Sequence, residues 1–301
     1  MPTTASLSPV SPHVPGAGSS RAAGYDTWTD WVDSGDWHET MTTLALPANA
    51  SDIMVLALDP DVSVTQLVHV VSRDQVLAAR ILRLANSARC ADSEEITTIN
   101  SAVVRIGTVS VGNVVLATCM ASRLQKQGVY GPRGRDLADH GIGSALMGQV
   151  AAKLAGANPE EAFLYGLLHD LGKLLVLQLA MEYESATGRR PRPSELVEVM
   201  DRCHAELGGK LLAAWRLPTV IQEPVVFHHH PDACRQHPHE AAVAYVADRL
   251  SHRYGFGCRS DSSTDLLSDP VAARLGITAS WLADLDQRAP ALMRSVAFFA
   301  D

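Results

Sequence analysis

The sequence predicts an all-α fold in two halves, and three observations predict it. Leu, Ala and Val dominate an apolar fraction of 47%, while aromatic residues make up only 5%. That mix suits tightly packed helices better than sheets of aromatic and β-branched residues. Apolar residues recur at helical spacing from about residue 41 onward, and no convincing alternating strand interrupts them. A Gly- and Arg-rich stretch, 128–135, divides the pattern into two halves.

Residues 1–24 are rich in Pro, Ser, Gly, Ala and Thr, have no apolar period and are expected to be disordered. Residues 25–40 carry Trp28, Trp31 and Trp37 among acids. The i, i+3 spacing of Trp28 and Trp31 predicts one face of a short helix docking on the body, rather than a partner-binding helix. Asn49, Ser51 and Asp52 can cap a helix bearing Ile53, Val55, Leu56 and Leu58, which Pro60 stops. Ser63 precedes the stripe Val64, Leu67, Val68 and Val71, and the helix over 75–86 turns Leu77, Ile81 and Leu84 inward. Two more helices, 99–107 and 109–126, are broken near Gly107. The second half predicts helices at 136–156, 159–170, 172–185, 194–201, 203–215, 218–229 and 239–254. A polar loop follows over 255–269, and helices near 270–274 and 279–298 close the chain. No fixed period repeats, so a solenoid is not indicated.

Charge and cysteine usage exclude several classes. The formal net charge of −8 argues against a broad basic surface for nucleic acid. The local run Arg189-Arg190-Pro191-Arg192 reads as a solvated loop. The five cysteines are odd in number, widely spaced and without a CxxC, which fits a reducing compartment better than a disulfide framework. Cys119 lies in an apolar run and is expected to be a core thiol. No segment offers about 18 uninterrupted apolar residues. The N-terminus shows no basic-then-apolar secretory pattern. The expectation is therefore a cytoplasmic protein with no membrane partner.

The chemistry lies in a dispersed set: Asp136, His140, His169, Asp170, His204, His228, His229 and Asp248. Asp136 and His140 are four apart and share a helix face. His169-Asp170 ends the apolar run Phe163–Leu168, where burying an ionised Asp is costly unless a cation or donor meets it. Gly172 follows and relaxes the backbone, and Lys173 adds a positive charge three residues after Asp170. His204 opens the helix bearing Leu207, Leu211 and Leu212, and Asp248 lies in an otherwise apolar stretch. Imidazole and carboxylate donors suit Fe, Mn, Zn, Ni or Co, and a pair of such ions can activate water for attack on phosphorus. Singly, each residue has an ordinary reading: Asp136 as an N-cap, His204 and Asp248 as satisfied or surface groups, and His228–His230 as a solvated loop. Their ordered combination on successive apolar helices is what points to one site.

These residues carry a family resemblance. Gly166-Leu-Leu-His-Asp-Leu-Gly-Lys173 resembles the signature of the HD superfamily. The upstream stretches Asp59-Pro-Asp61, Ala79–Ser87 and Ile96–Gly107 resemble its HDOD subfamily. So do His204-Ala-Glu-Leu-Gly208, Trp215-Arg-Leu-Pro218 and His228-His229, and coverage runs from about 41 to 253. The resemblance implies a two-lobed helical fold, with an N-terminal lobe at 41–127 and an HD-type metal-binding lobe at 135–253. It implies a bacterial signalling or regulatory module that binds one to three divalent ions, Fe or Mn first, and acts mainly through a protein partner. The metal positions it implies are His140, His169, Asp170, His204, His228, His229, Asp248 and Asp136, although Glu is more usual where Asp136 stands. The related HD-GYP proteins hydrolyse cyclic-di-GMP. The alternative is therefore a metal-dependent phosphohydrolase or phosphodiesterase acting on a nucleotide or cyclic dinucleotide, with Lys173 contacting phosphate. The chain reads His230-Pro231-Asp232 where those enzymes carry Gly-Tyr-Pro.

Overall fold

The computed structural model describes residues 22–35, 61–86, 96–124, 131–257 and 265–300, with positions 37, 40, 41, 44, 53, 54, 56, 57 and 59. Among these the fold is helical, with no strand. The expected disordered run falls almost entirely outside the described residues. So do the caps Asn49, Ser51 and Asp52, while Ile53 and Leu56 are helical.

The first lobe follows its sequence closely. Helix α2 (Val64–Val71) opens on a capping box. The Ser63 hydroxyl accepts the Gln66 N–H, and the Gln66 side chain accepts the Ser63 N–H. In α3 (Gln75–Ala85), Leu77 and Ile81 are buried and Leu84 half-buried. Helices α4 (Ile99–Ile106) and α5 (Thr108–Leu124) meet at a bend of 104°. Gly107 makes it with φ +85°, a conformation that disfavours residues with a Cβ. Cys119 is half-buried rather than a full core residue.

The second lobe comprises α6 (Gly131–Ala155), α7 (Pro159–Leu168), α8 (Leu171–Thr187), α9 (Pro193–Ala214), α10 (Thr219–Phe227) and α11 (Pro238–Tyr254). Three local readings are corrected. The Gly/Arg stretch is helical from Gly131, so Asp136 is a mid-helix residue and not an N-cap. Residues 194–201 and 203–215 form one helix, because nothing at Asp201-Arg202-Cys203 breaks the backbone hydrogen bonding. His204 therefore sits inside α9 rather than opening a helix. Phe256, expected in a polar loop, is buried, because Gly255 ends α11 in a left-handed turn that folds the chain back.

Helices α6 with α7, α8 with α9, and α6 with α11 form the main packing of this lobe. A polar joint ties the lobes together: Ser110 and Asn113 of α5 donate to the Glu160 carboxylate at the start of α7. After α12 (Pro270–Arg274), α13 (Ala279–Ala300) lies against both α5 and α6.

The Trp-bearing segment docks as expected. Thr27 caps α1 (Trp28–Ser34), and both indoles are buried against Tyr183 of α8, with ring centroids 5.9 and 6.1 Å away. Arg202 of α9 pairs with Asp33 at 2.7 Å, and the Thr40 hydroxyl donates to Glu182 at 2.6 Å. The run Pro159–Thr187 is long and apolar enough to cross a membrane by composition. Its most apolar window is 89% buried inside the fold, which accounts for that composition as core.

Candidate metal centre

Six helices deliver the site. His140 comes from the middle of α6, and His169 and Asp170 from the α7–α8 junction. His204 projects from α9, His228 and His229 end α10, and Asp248 projects from α11. Glycine permits the closest crossing. A Cβ on Gly172 would collide with the His204 carbonyl oxygen, so α8 and α9 touch backbone to backbone. Gly172 thus acts by close approach, not by relaxing the chain after His169-Asp170.

Four imidazoles are held by their outer nitrogens. The Nδ1 atom lies 2.8 Å from the Gly166 carbonyl in His169, 2.6 Å from Met200 in His204, 2.7 Å from Val225 in His228 and 3.2 Å from Phe256 in His140. A carbonyl only accepts, so each Nδ1 carries hydrogen and each neutral ring presents its Nε2 lone pair. Those Nε2 atoms face one another. The separations are 3.2 Å for His140–His169, 3.3 Å for His204–His228 and 3.0 Å for His204–His229. Lone pairs so close repel unless a metal ion, or on the His140–His169 side the proton His169 carries below about pH 9, lies between them. Donors about 2.1 Å from a common ion stand about 3.0 Å apart at an octahedral edge and about 3.4 Å at a tetrahedral one. The observed spacings fall in that range.

Asp170 links two clusters. Its Oδ2 lies 3.7 Å from His140 Nε2 and 3.5 Å from His169 Nε2, and its Oδ1 lies 3.3 Å from His204 Nε2. Among the described residues Oδ1 is buried without a hydrogen-bond donor, an arrangement that asks for a cation. Three groups of donors result: His140, His169 and Asp248; His169, Asp170 and His228; and His204, His228 and His229. The donor set fits a divalent ion of the imidazole- and carboxylate-binding class.

The two sides differ electrostatically. Burial pulls the His169 imidazole down, but Asp170 and Asp248 outweigh it and hold its pKa up to about 9. Burial pushes both carboxylates up, yet His169 and Lys173 hold Asp170 well below the usual range, and His140 and His169 do the same for Asp248. On the other side, burial lowers His204, His228 and His229, the last to about 4. That side therefore presents neutral imidazoles. Lys173 places its ammonium 2.6 Å from Asp170 Oδ2.

Of the residues singled out from sequence, Asp136 does not join these groups. It is exposed, although it shares a helix face with His140. His229 approaches from the exposed side, and His230 is exposed. Sequence reasoning missed His252, whose Nε2 lies 3.4 Å from Asp248 Oδ1 and whose ring lies 4.8 Å from that of His140. Its i, i+4 spacing from Asp248 was the available signal. It also missed Ser251, which approaches His140 Nδ1 at 3.3 Å.

A model of the HDOD domain matches residues 44–231, well over half of the chain. The chain belongs to the HDOD family. Asp248 and His252 lie C-terminal to the matched residues. An uncharacterized protein of Treponema pallidum is 26% identical over 192 residues. The match covers 61% of this HDOD chain but only 37% of that relative's length. A Shewanella amazonensis protein, provisionally named a metal-dependent phosphohydrolase, shares the fold with a TM-score of 0.68 at 19% identity. The alignment covers 90% of this chain and 99% of that one. A Marinobacter aquaeolei protein, provisionally named a signal transduction protein, shares it with a TM-score of 0.62 at 20% identity, over 85% and 60% of the two chains.

Proposed function

We propose that this HDOD chain is a cytoplasmic bacterial signalling or regulatory module. Its HD-type core holds one to three divalent ions, Fe or Mn first and Zn, Ni or Co next, as a structural or sensing element. Its output is contact with a protein partner. The observation that carries the metal reading is the set of opposed Nε2 atoms, each ring aimed by an Nδ1–H···O=C bond. Such outer hydrogen bonds fix the tautomer that ligates. His169 and His204, at 2% and 3% side-chain exposure, suit a resident ion better than an exchanging one. The signalling role draws support from family membership and from the similarly folded Marinobacter protein. Elemental analysis of anaerobically purified protein tests the metal reading: one or more ions per chain are expected, and a metal-free, fully folded protein sinks it. Affinity capture from bacterial lysate should return a defined partner that a His169→Ala variant captures less well.

A second reading, a metal-dependent phosphohydrolase, is favoured by Lys173, whose side chain is 29% exposed while touching Asp170. A bound divalent ion would supply an activated water and charge stabilisation. Lys173 would then steady a phosphate oxygen, and Asp170 would orient the ammonium. The similarly folded Shewanella protein supports considering this class. Metal-loaded protein should then hydrolyse a member of a nucleotide and cyclic-dinucleotide panel, with activity abolished by His169→Ala. Inertness across the panel removes this reading and leaves the first.

A further inference from the structure

We infer that His252 is a further protein ligand of the ion held by His140, His169 and Asp248. The inference rests on the metal-binding reading above and names a donor that neither the HD signature nor the HDOD match contains.

Three imidazole nitrogens converge on one carboxylate oxygen. Asp248 Oδ1 lies 3.0 Å from His140 Nε2, 3.4 Å from His169 Nε2 and 3.4 Å from His252 Nε2. Each distance is the edge expected between Asp248 and another donor about 2.1 Å from the same ion, octahedral to tetrahedral. An ordinary helical Asp–His pair at i, i+4 would sit in solvent. Here Asp248 is only 14% exposed and already faces two buried imidazoles. The His252 ring is tilted against the His140 ring at 4.8 Å, so it borders the same cluster. Its own side chain is 42% exposed, which places it on the solvent side of the ion. With Asp136 exposed on α6, His252 of α11 is the further imidazole within reach of Asp248.

The test uses full-length protein stripped of metal and titrated with Co2+, whose visible absorption reports coordination geometry. Wild type, His252→Ala and His252→Gln are compared, with ion stoichiometry measured in parallel. The expected result is loss of the wild-type band for one ion in both variants, with affinity for that ion falling at least tenfold. The ion at His204, His228 and His229 should be retained. Glutamine keeps a hydrogen-bond donor for Asp248 but no imidazole. A wild-type band that survives in the Ala variant, or returns in the Gln variant, overturns the inference and makes His252 a hydrogen-bond donor only. Should the Ala variant fail to fold, the Gln variant decides. Wild-type protein that takes up no Co2+ overturns the metal-binding reading itself, a result distinct from a wild-type site indifferent to His252.

Discussion

A neutral histidine whose Nδ1–H is committed to a carbonyl has only its Nε2 lone pair left to offer, and this chain aims four such rings inward. Exposure separates these residues from Asp136, and an Asp136→Ala variant should keep wild-type metal stoichiometry in elemental analysis. Protonation gives a second residue-scale prediction. His169 is raised from 6.5 to about 9, so its contribution to stability is complete below pH 6.5 and is lost as pH rises through about 9. His229 is lowered from 6.5 to about 4, so its contribution is complete above 6.5 and is lost as pH falls through about 4. On these two groups, metal-free protein should be most stable near neutral pH. Urea midpoints at acid, neutral and alkaline pH would show it, and a monotonic trend would contradict it. Metal must displace the His169 proton, so metal affinity should rise with pH up to about 9, as titrations at several pH values would show.

At the scale of the element, the same device appears twice. His169 caps the C-terminus of α7 and His228 that of α10, and each folds its Nδ1 back onto a carbonyl three residues earlier. A helix end thereby becomes a mount for a ligand. The crossing of α8 and α9 brings His204 to Asp170, and it depends on Gly172. Gly172→Ala should force these helices apart and destabilise the protein by about 1–3 kcal/mol or more, as overpacking does. Chemical denaturation measures that loss, and the variant should also bind less metal. A variant with unchanged stability and metal content would show the crossing to be adaptable.

Across the whole molecule, α1 packs on the helices that carry Asp170 and His204, through Tyr183 and Arg202. Trp31 is 1% exposed and stacks on Tyr183, so Trp31→Ala should cost about 3–5 kcal/mol, read as a lowered melting temperature. Metal content of the folded variant should stay at the wild-type level, because the indole packs on Tyr183, near the opposite end of α8 from Asp170. Helix α13 and the Ser110–Asn113–Glu160 joint hold the first lobe against α6 and α7, the helices that bring His140 and His169 to the centre.

The sequence by itself determined the helical class, the break at Gly107, the docking face of Trp28 and Trp31, and the HD-type signature around His169-Asp170. The first three follow from periodicity, backbone chemistry and short-range spacing, which act along the chain, and the last is a resemblance of short motifs. Only the tertiary structure decided that Asp136 faces solvent, that α9 runs unbroken through His204, and that His252, Ser251 and Phe256 gather around His140. Spacing states which face of a helix a side chain occupies. Whether that face meets a lone pair or water depends on how helices far apart in sequence cross, and that depends on packing at contacts such as Gly172 against His204.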